Sequence, residues 1–136
     1  MKPINFLRKG GIMLSKIKAL EKKRLNLCSE LLSIKKMVWG SFCLIYVKCG
    51  NKNCQCATGK LHPHQRMSWR ENGKAISRAV PKEEHEWIEE MTGNYRRFRE
   101  LRRELNEINE KMNSLLDAYE ETVVKKTRKG KQYLKI

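Results

Sequence analysis

Cys49-Gly50-Asn51-Lys52-Asn53-Cys54-Gln55-Cys56, followed by His62-Pro63-His64, sets three thiols and two imidazoles within sixteen residues. Thiolates and imidazole nitrogens are the ligands of tetrahedral Zn²⁺, and ligands this close let one short loop wrap the ion. Gly50, Asn51 and Asn53 tolerate the positive φ that so tight a wrap needs. The spacing C-x4-C-x-C-x5-H-x-H lacks the C-x2-C knuckles of ordinary zinc ribbons. It nevertheless supplies a structural ligand set in Cys49, Cys54, Cys56 and His62, with His64 as the alternative imidazole. The fold is read outward from this loop.

Upstream, Phe42 to Lys48 reads as a strand of aromatic and β-branched residues that delivers Cys49. Alternation puts Phe42, Leu44 and Tyr46 on one face and Cys43, Ile45 and Val47 on the other, so Cys43 reads as core. Downstream, residues 65–71 and 74–80 flank Asn72-Gly73, a strong type I′ hairpin signal. A two-residue loop pairs Glu71 with Lys74, Arg70 with Ala75, Trp69 with Ile76 and Ser68 with Ser77. One hairpin face then carries Met67, Trp69, Ile76 and Val80. The other carries Arg66, Ser68, Arg70, Ala75, Ser77 and Ala79, where guanidiniums and hydroxyls suit phosphate oxygens.

Amphipathic segments stand on both sides. From Leu14 to about Val38, Ile17, Leu20, Leu27, Leu31, Ile34 and Val38 follow a helical three-four spacing, which Leu25 and Leu32 widen and Cys28 borders. Gly40-Ser41 ends that helix. After Pro81 a second helix carries Met91, Phe98, Leu105, Met112 and Tyr119 every seven residues, with Trp87, Leu101, Ile108 and Leu115 in companion positions and Thr92-Gly93 as a site where it kinks or splits. The fold class is therefore α+β: two long helices, paired as an antiparallel helical hairpin, flank a small β-hairpin and zinc-knuckle unit. A homodimer through either seam is the competing arrangement. The segments are 1–12, a flexible arm or a start called too early; 13–39, a basic helix; 40–80, the sheet and loop; 81–122, the heptad-bearing helix; and 123–136, a basic tail read as disordered. The early-start reading comes from Lys9-Gly10-Gly11-Ile12-Met13, whose codons can hold a ribosome-binding sequence ahead of Met13.

At Gly40-Ser41, Tyr46, Cys49-Gly50, Cys54, Cys56, the following histidine and Asn94-Tyr95-Arg96-Arg97-Phe98, the chain resembles a family of small prokaryotic proteins over about residues 40–105. That family is a domain of unknown function whose genes often sit near transposases or other mobile elements. The resemblance implies a genetic context and a class of partner, and no reaction.

Charge narrows the partner. The chain has 30 Lys and Arg against 15 Asp and Glu, a net charge of +15. Residues 1–80 hold 17 basic and 3 acidic side chains, residues 81–124 hold 7 and 12, and residues 125–136 hold 6 and none. A polyanion is the economical partner and nucleic acid the commonest one. Candidate contacts are Arg66 and Arg70 on the hairpin, Lys52 and Lys60 by the loop, Arg96 and Arg97, Lys22 and Lys23, and Lys125 and Lys126. The mobile-element context favours DNA over RNA. The alternative is a protein-interaction adaptor whose helices bind a transposase or another partner, zinc being purely structural. A catalytic zinc needs an open coordination position and a nearby base, and the closed, Cys-rich ligand set argues against an enzyme. No stretch reaches the ~20 apolar residues of a membrane span, and the N-terminus lacks a signal-peptide core. Five cysteines without such a signal point to a reducing, cytoplasmic compartment in a prokaryote, at the nucleoid if the ligand is DNA.

Overall fold

A computed structural model of the chain describes residues 2–135, with side chains described from Gly11 to Lys135. The elements are α1 (Lys2–Ser33), β1 (Ser41–Val47), β2 (His62–Glu71), β3 (Lys74–Ala79) and α2 (His85–Arg128), with single 3₁₀ turns at Gln55–Thr58, Lys82–Glu84 and Gln132–Leu134. In chain order two long helices flank a three-stranded antiparallel sheet of order β1-β2-β3, the expected α+β class. The chain divides into two compact units: Ile34–Arg99, and Met1–Ser33 with Glu100–Ile136.

In the first unit the hairpin pairs as its turn chemistry requires: Asn72 and Gly73 take φ of 50° and 79°, and Trp69 stands opposite Ile76 and Ser68 opposite Ser77. β1 adds to the other side of β2, with Ser41 opposite Ser68, Cys43 opposite Arg66 and Val47 opposite His62. Directly paired residues point to the same face. Cys43 is thereby placed with Arg66 on the polar face, and it is exposed. The reading of Cys43 as core is corrected by this register, which alternation within one strand cannot supply. The opposite face is the core face, where Met67 is 5% exposed and Trp69 and Ile76 are half-buried. Burying a side chain such as Met67 is worth about 1.5–3 kcal/mol.

The Phe42 face meets the start of α2, its ring lying 5.3 Å from that of His85, whose Nε2 bonds the Val80 carbonyl at 2.9 Å. Ahead of the helix Pro81 opens a 3₁₀ turn, closed by the Glu84 amide on the Pro81 carbonyl, and Glu83, Glu84 and Glu86 suit its positive end. Ile88, Met91 and Thr92 are buried, whereas Trp87 is 48% exposed. The expected seam position at Trp87 is therefore corrected by one residue. α2 is continuous through Thr92 and Gly93, so the helix does not split there, and the Thr92 hydroxyl donates to the Ile88 carbonyl at 2.8 Å. α1 ends at Ser33, five residues earlier than its pattern suggests. Residues 34–39 leave the helix because tertiary bonds hold them: the Val38 amide donates to the Met91 carbonyl at 3.2 Å, and the Asn94 side chain to the Lys36 carbonyl at 3.0 Å.

In the second unit α1 pairs with the later part of α2. Lys16, Leu20 and Lys23 share a cavity with Lys111 and Leu115, and Leu27 and Glu30 share the next with Glu104 and Ile108. Numbers rise on one helix as they fall on the other, so the pair is antiparallel. Leu27, Leu31, Leu101 and Ile108 form its buried seam. Leu25 and Leu32, expected to widen the stripe, are instead 69% and 70% exposed, because each lies too far around α1 from that seam. α1 begins at Lys2, within the stretch read as an arm, and α2 runs to Arg128, past the expected boundary at 122. Residues 1 and 136, the outer ends of the two terminal segments, lie outside the described residues.

Candidate metal centre

The Cys loop is built by backbone turns before any ligand is considered. β1 ends at Val47, and Gly50 at φ 81° turns the chain back immediately after Cys49. The Asn51 side-chain oxygen accepts from the Asn53 amide at 3.0 Å, an Asx turn, and the Asn51 carbonyl accepts from the Cys54 amide at 3.2 Å. A 3₁₀ turn at Gln55–Thr58 follows, in which the Ala57 amide bonds the Cys54 carbonyl at 3.1 Å. The Lys60 amide then reaches the Gln55 carbonyl at 3.3 Å, and β2 begins at His62. Because His62 pairs with Val47, the ladder itself returns the imidazole to the place where the loop began.

Four ligand atoms converge there. The donor atoms of Cys49, Cys54, Cys56 and His62 all lie within 4.8 Å of one another. The sulfurs of Cys49 and Cys56 are 3.4 Å apart, and Cys54 Sγ is 2.9 Å from His62 Nε2. Cys56 is the most enclosed, 1% exposed, and its sulfur accepts from the Cys49 amide at 3.3 Å. Hydrogen bonding by the Asn51 backbone, then by the Cys56 side chain, holds the Cys49 thiol below the ordinary thiol range. Cys54 is lowered in the same way by the Cys56 backbone, the Cys56 side chain and His62. For Cys56 the Cys49 backbone favours the thiolate, but burial and the neighbouring thiols outweigh it and push the group up. Two thiols are thus biased toward the form that ligates metal. The cluster could hold a metal ion. His64, opposite Ile45 and exposed, is not part of it; Cys28 is half-buried in α1 and Cys43 lies on the sheet.

The basic candidates fall into separate settings. Arg66 and Arg70 share the polar face of β2, on which Cys43 and the Ser41-Ser68-Ser77 row also lie. Arg66 Nε donates to Ser77 Oγ at 2.8 Å and its Nη2 to the Ser77 carbonyl at 3.2 Å, whereas Arg70 is exposed. Lys52 and Lys60 are exposed on the Cys loop, and Arg96 and Arg97 on the first part of α2. Lys22 and Lys23 are exposed on α1, and Lys125 pairs with Glu121 at 2.8 Å near the end of α2, with Lys126 the next residue along. Two features escape the sequence reading. Ser41 completes the serine row only once the β1–β2 register is known. Trp39, 57% exposed, sits one residue before Gly40.

Residues 15–90 match the family described as Domain of unknown function (DUF6788), and the chain belongs to that family. The match takes in α1 from Ser15, the sheet and its loop, and the start of α2, and it stops before Asn94-Tyr95-Arg96-Arg97-Phe98. No curated protein and no solved structure matches the chain.

Proposed function

We propose that this member of the family is a nucleic-acid-binding protein whose Cys49, Cys54, Cys56 and His62 hold a structural Zn²⁺. The donor set supports zinc, since three thiolates and one imidazole are a standard structural shell with ligand atoms roughly 3.5–3.8 Å apart when tetrahedral. Bound there, the ion would tie the loop between β1 and β2 to the Val47–His62 end of the sheet. With four protein ligands a tetrahedral ion would keep no open position for a substrate, and Glu71, the nearest downstream carboxylate, accepts the Trp69 indole N–H at 3.3 Å. A structural role therefore suits the centre better than a catalytic one.

The observation that carries the binding function is the polar face of the sheet, where Arg66 and Arg70 stand among serine hydroxyls in a chain of net charge +15. Reduced thiols fit a cytoplasmic setting, and the resemblance to mobile-element-linked proteins suits an accessory factor of such an element, with DNA favoured over RNA. The test is retention of random-sequence DNA and RNA by the zinc-loaded protein across a salt series. Binding that weakens steeply with salt is expected, because each phosphate neutralised releases condensed counterions. Salt-insensitive binding, or none at low salt, rejects the reading.

The exposed Leu25 and Leu32 on α1, with Leu116, Val123 and Val124 on α2, favour a second reading. In it the protein is an adaptor that docks a transposase or another partner through these helices. A stable stoichiometric protein complex without nucleic-acid retention would select it.

A further inference from the structure

Resting on the nucleic-acid reading, we infer that the polar face of the sheet is a site for a single strand, its phosphates seated along Ser41-Ser68-Ser77 between Arg66 and Arg70, with a base stacked on Trp39. The register places the three serines directly opposite one another, one on each strand. Arg66 and Arg70 lie two residues to either side of Ser68 on the same face, roughly 6.6 Å away along the strand in each direction. Ala75, which faces Arg70, and Ala79, which faces Arg66, keep the face low enough for a backbone to approach. Residues 41, 43, 66, 68, 70, 75, 77 and 79 include no carboxylate. Ser41, Ser68, Arg70, Ala75 and Ser77, with Gly40 and the opposite-face pair Trp69 and Ile76, line an open depression of about 410 Å³.

The hydrogen bonds set this face for an anion. Ser77 takes two of the five N–H groups of Arg66, which fixes the guanidinium fork and leaves further N–H groups for a ligand oxygen. Because Ser77 Oγ accepts from Arg66, its own O–H is the group left to donate. Two residues before Ser41 the chain also carries an exposed aromatic, Trp39. A Cβ on Gly40 would run into the Ser68 carbonyl and the Met67 terminal methyl, so the chain passes tightly against β2 just after Trp39. Trp39 is 57% exposed, and Ser41, two residues on, is the β1 end of the serine row. Tyr46, the other strongly exposed aromatic of the sheet region, lies on the opposite face of β1. Three strands span only about 10 Å from first to last, the width of one chain with its bases turned out. A duplex is read by an element that enters its groove, whereas phosphate donors beside an aromatic platform suit unpaired bases, each of which offers a π-face.

The test is a titration of full-length, zinc-loaded protein with a short oligothymidine strand and with a mixed-sequence duplex of the same length, followed by anisotropy and tryptophan fluorescence. The single strand is expected to bind more tightly and to quench the tryptophan signal. Trp39→Ala is expected to weaken single-strand binding about tenfold while leaving duplex binding unchanged, and Trp39→Phe to restore most of the loss. Arg70→Ala is expected to weaken single-strand binding about tenfold with zinc content and circular dichroism intact. A parallel titration with oligouridine tells DNA from RNA, and tighter binding of either strand than of the duplex supports the site. If Trp39→Ala leaves single-strand affinity unchanged, or the duplex binds as tightly as the strand, this site is overturned and the broader nucleic-acid reading stands. If neither binds at low salt, both fall.

Discussion

Gly40 takes φ 119°, and the space a Cβ would need is occupied by the Ser68 carbonyl and the Met67 side chain. Gly40→Ala therefore meets backbone strain and overpacking together, and urea unfolding is expected to show a loss of about 2–4 kcal/mol. The cysteines divide just as sharply. Elemental analysis of the purified protein is expected to find about one zinc per chain, as one four-ligand shell holds. Cys54→Ser and His62→Ala are expected to lose it together with the ordered loop, while Cys28→Ser, Cys43→Ser and His64→Ala keep it. A metal-free preparation with an intact sheet would sink the centre as proposed. At this scale the cluster of Cys49, Cys54, Cys56 and His62 is legible because the spacing is local, while the sequence leaves His64 open as an alternative to His62. His62 and His64 lie on the same face of β2, and which one meets the thiols depends on the pairing of Val47 with His62. The β1–β2 register also decides Cys43. Its neighbours Ile45 and Val47 suggest a core position, and its cross-strand partner Arg66 places it in solvent.

Elements are readable where one segment sets its own geometry. Asn72-Gly73 dictates the hairpin register through two consecutive positive φ angles, and the seven-residue repeat marks the seam of α2 at Leu101 and Ile108. Local pattern misleads where another element decides. The pattern on α1 continues through Ile34 and Val38, yet the chain leaves the helix at Ser33 because Lys36 and Val38 bond to Asn94 and Met91. Trp87 fits the heptad, and Ile88 is the residue buried, because the first part of α2 serves the sheet unit instead of a helical seam. Leu25 and Leu27 offer a direct check on the face of α1 that is packed. Leu27→Ala is expected to cost about 2–4 kcal/mol in thermal or urea unfolding, as truncation of a buried leucine does. Leu25→Ala is expected to stay within about 0.5 kcal/mol. A large loss from Leu25→Ala would mean that its face is covered in the purified protein, as it would be in a homodimer through α1.

For the whole molecule the informative quantity is where the charge lies. The first 80 residues carry 17 basic and 3 acidic side chains, and the later part of the chain places 12 acidic residues between positions 81 and 124. A polyanion drawn to this protein meets some basic groups whose geometry is fixed and others that are only charged. Arg66 is fixed by Ser77, whereas Lys125 sits beside Glu121 with both side chains largely in solvent. The two kinds are separable by salt. Replacing Lys125 and Lys126 together by alanine is expected to weaken binding of all sequences alike. The slope of log affinity against log salt should fall by up to about one for each phosphate no longer neutralised. Lys125 counts for less than a full charge, because Glu121 already offsets part of it. Arg70→Ala is expected to lower the slope too, and to cost about 1–2 kcal/mol, because a charge-assisted hydrogen bond disappears along with the charge. Arg66→Ala removes the two bonds to Ser77 as well, so its effect mixes weaker ligand binding with a loosened hairpin, and Arg70 is the cleaner probe. Glu71→Gln keeps an acceptor for the Trp69 indole and is expected to leave affinity unchanged. If Arg70→Ala leaves both affinity and slope untouched while the lysine pair lowers them, the sheet face is not the binding surface. The basic helix α1, with Lys16, Lys18, Lys22 and Lys23 exposed, then becomes the place to look.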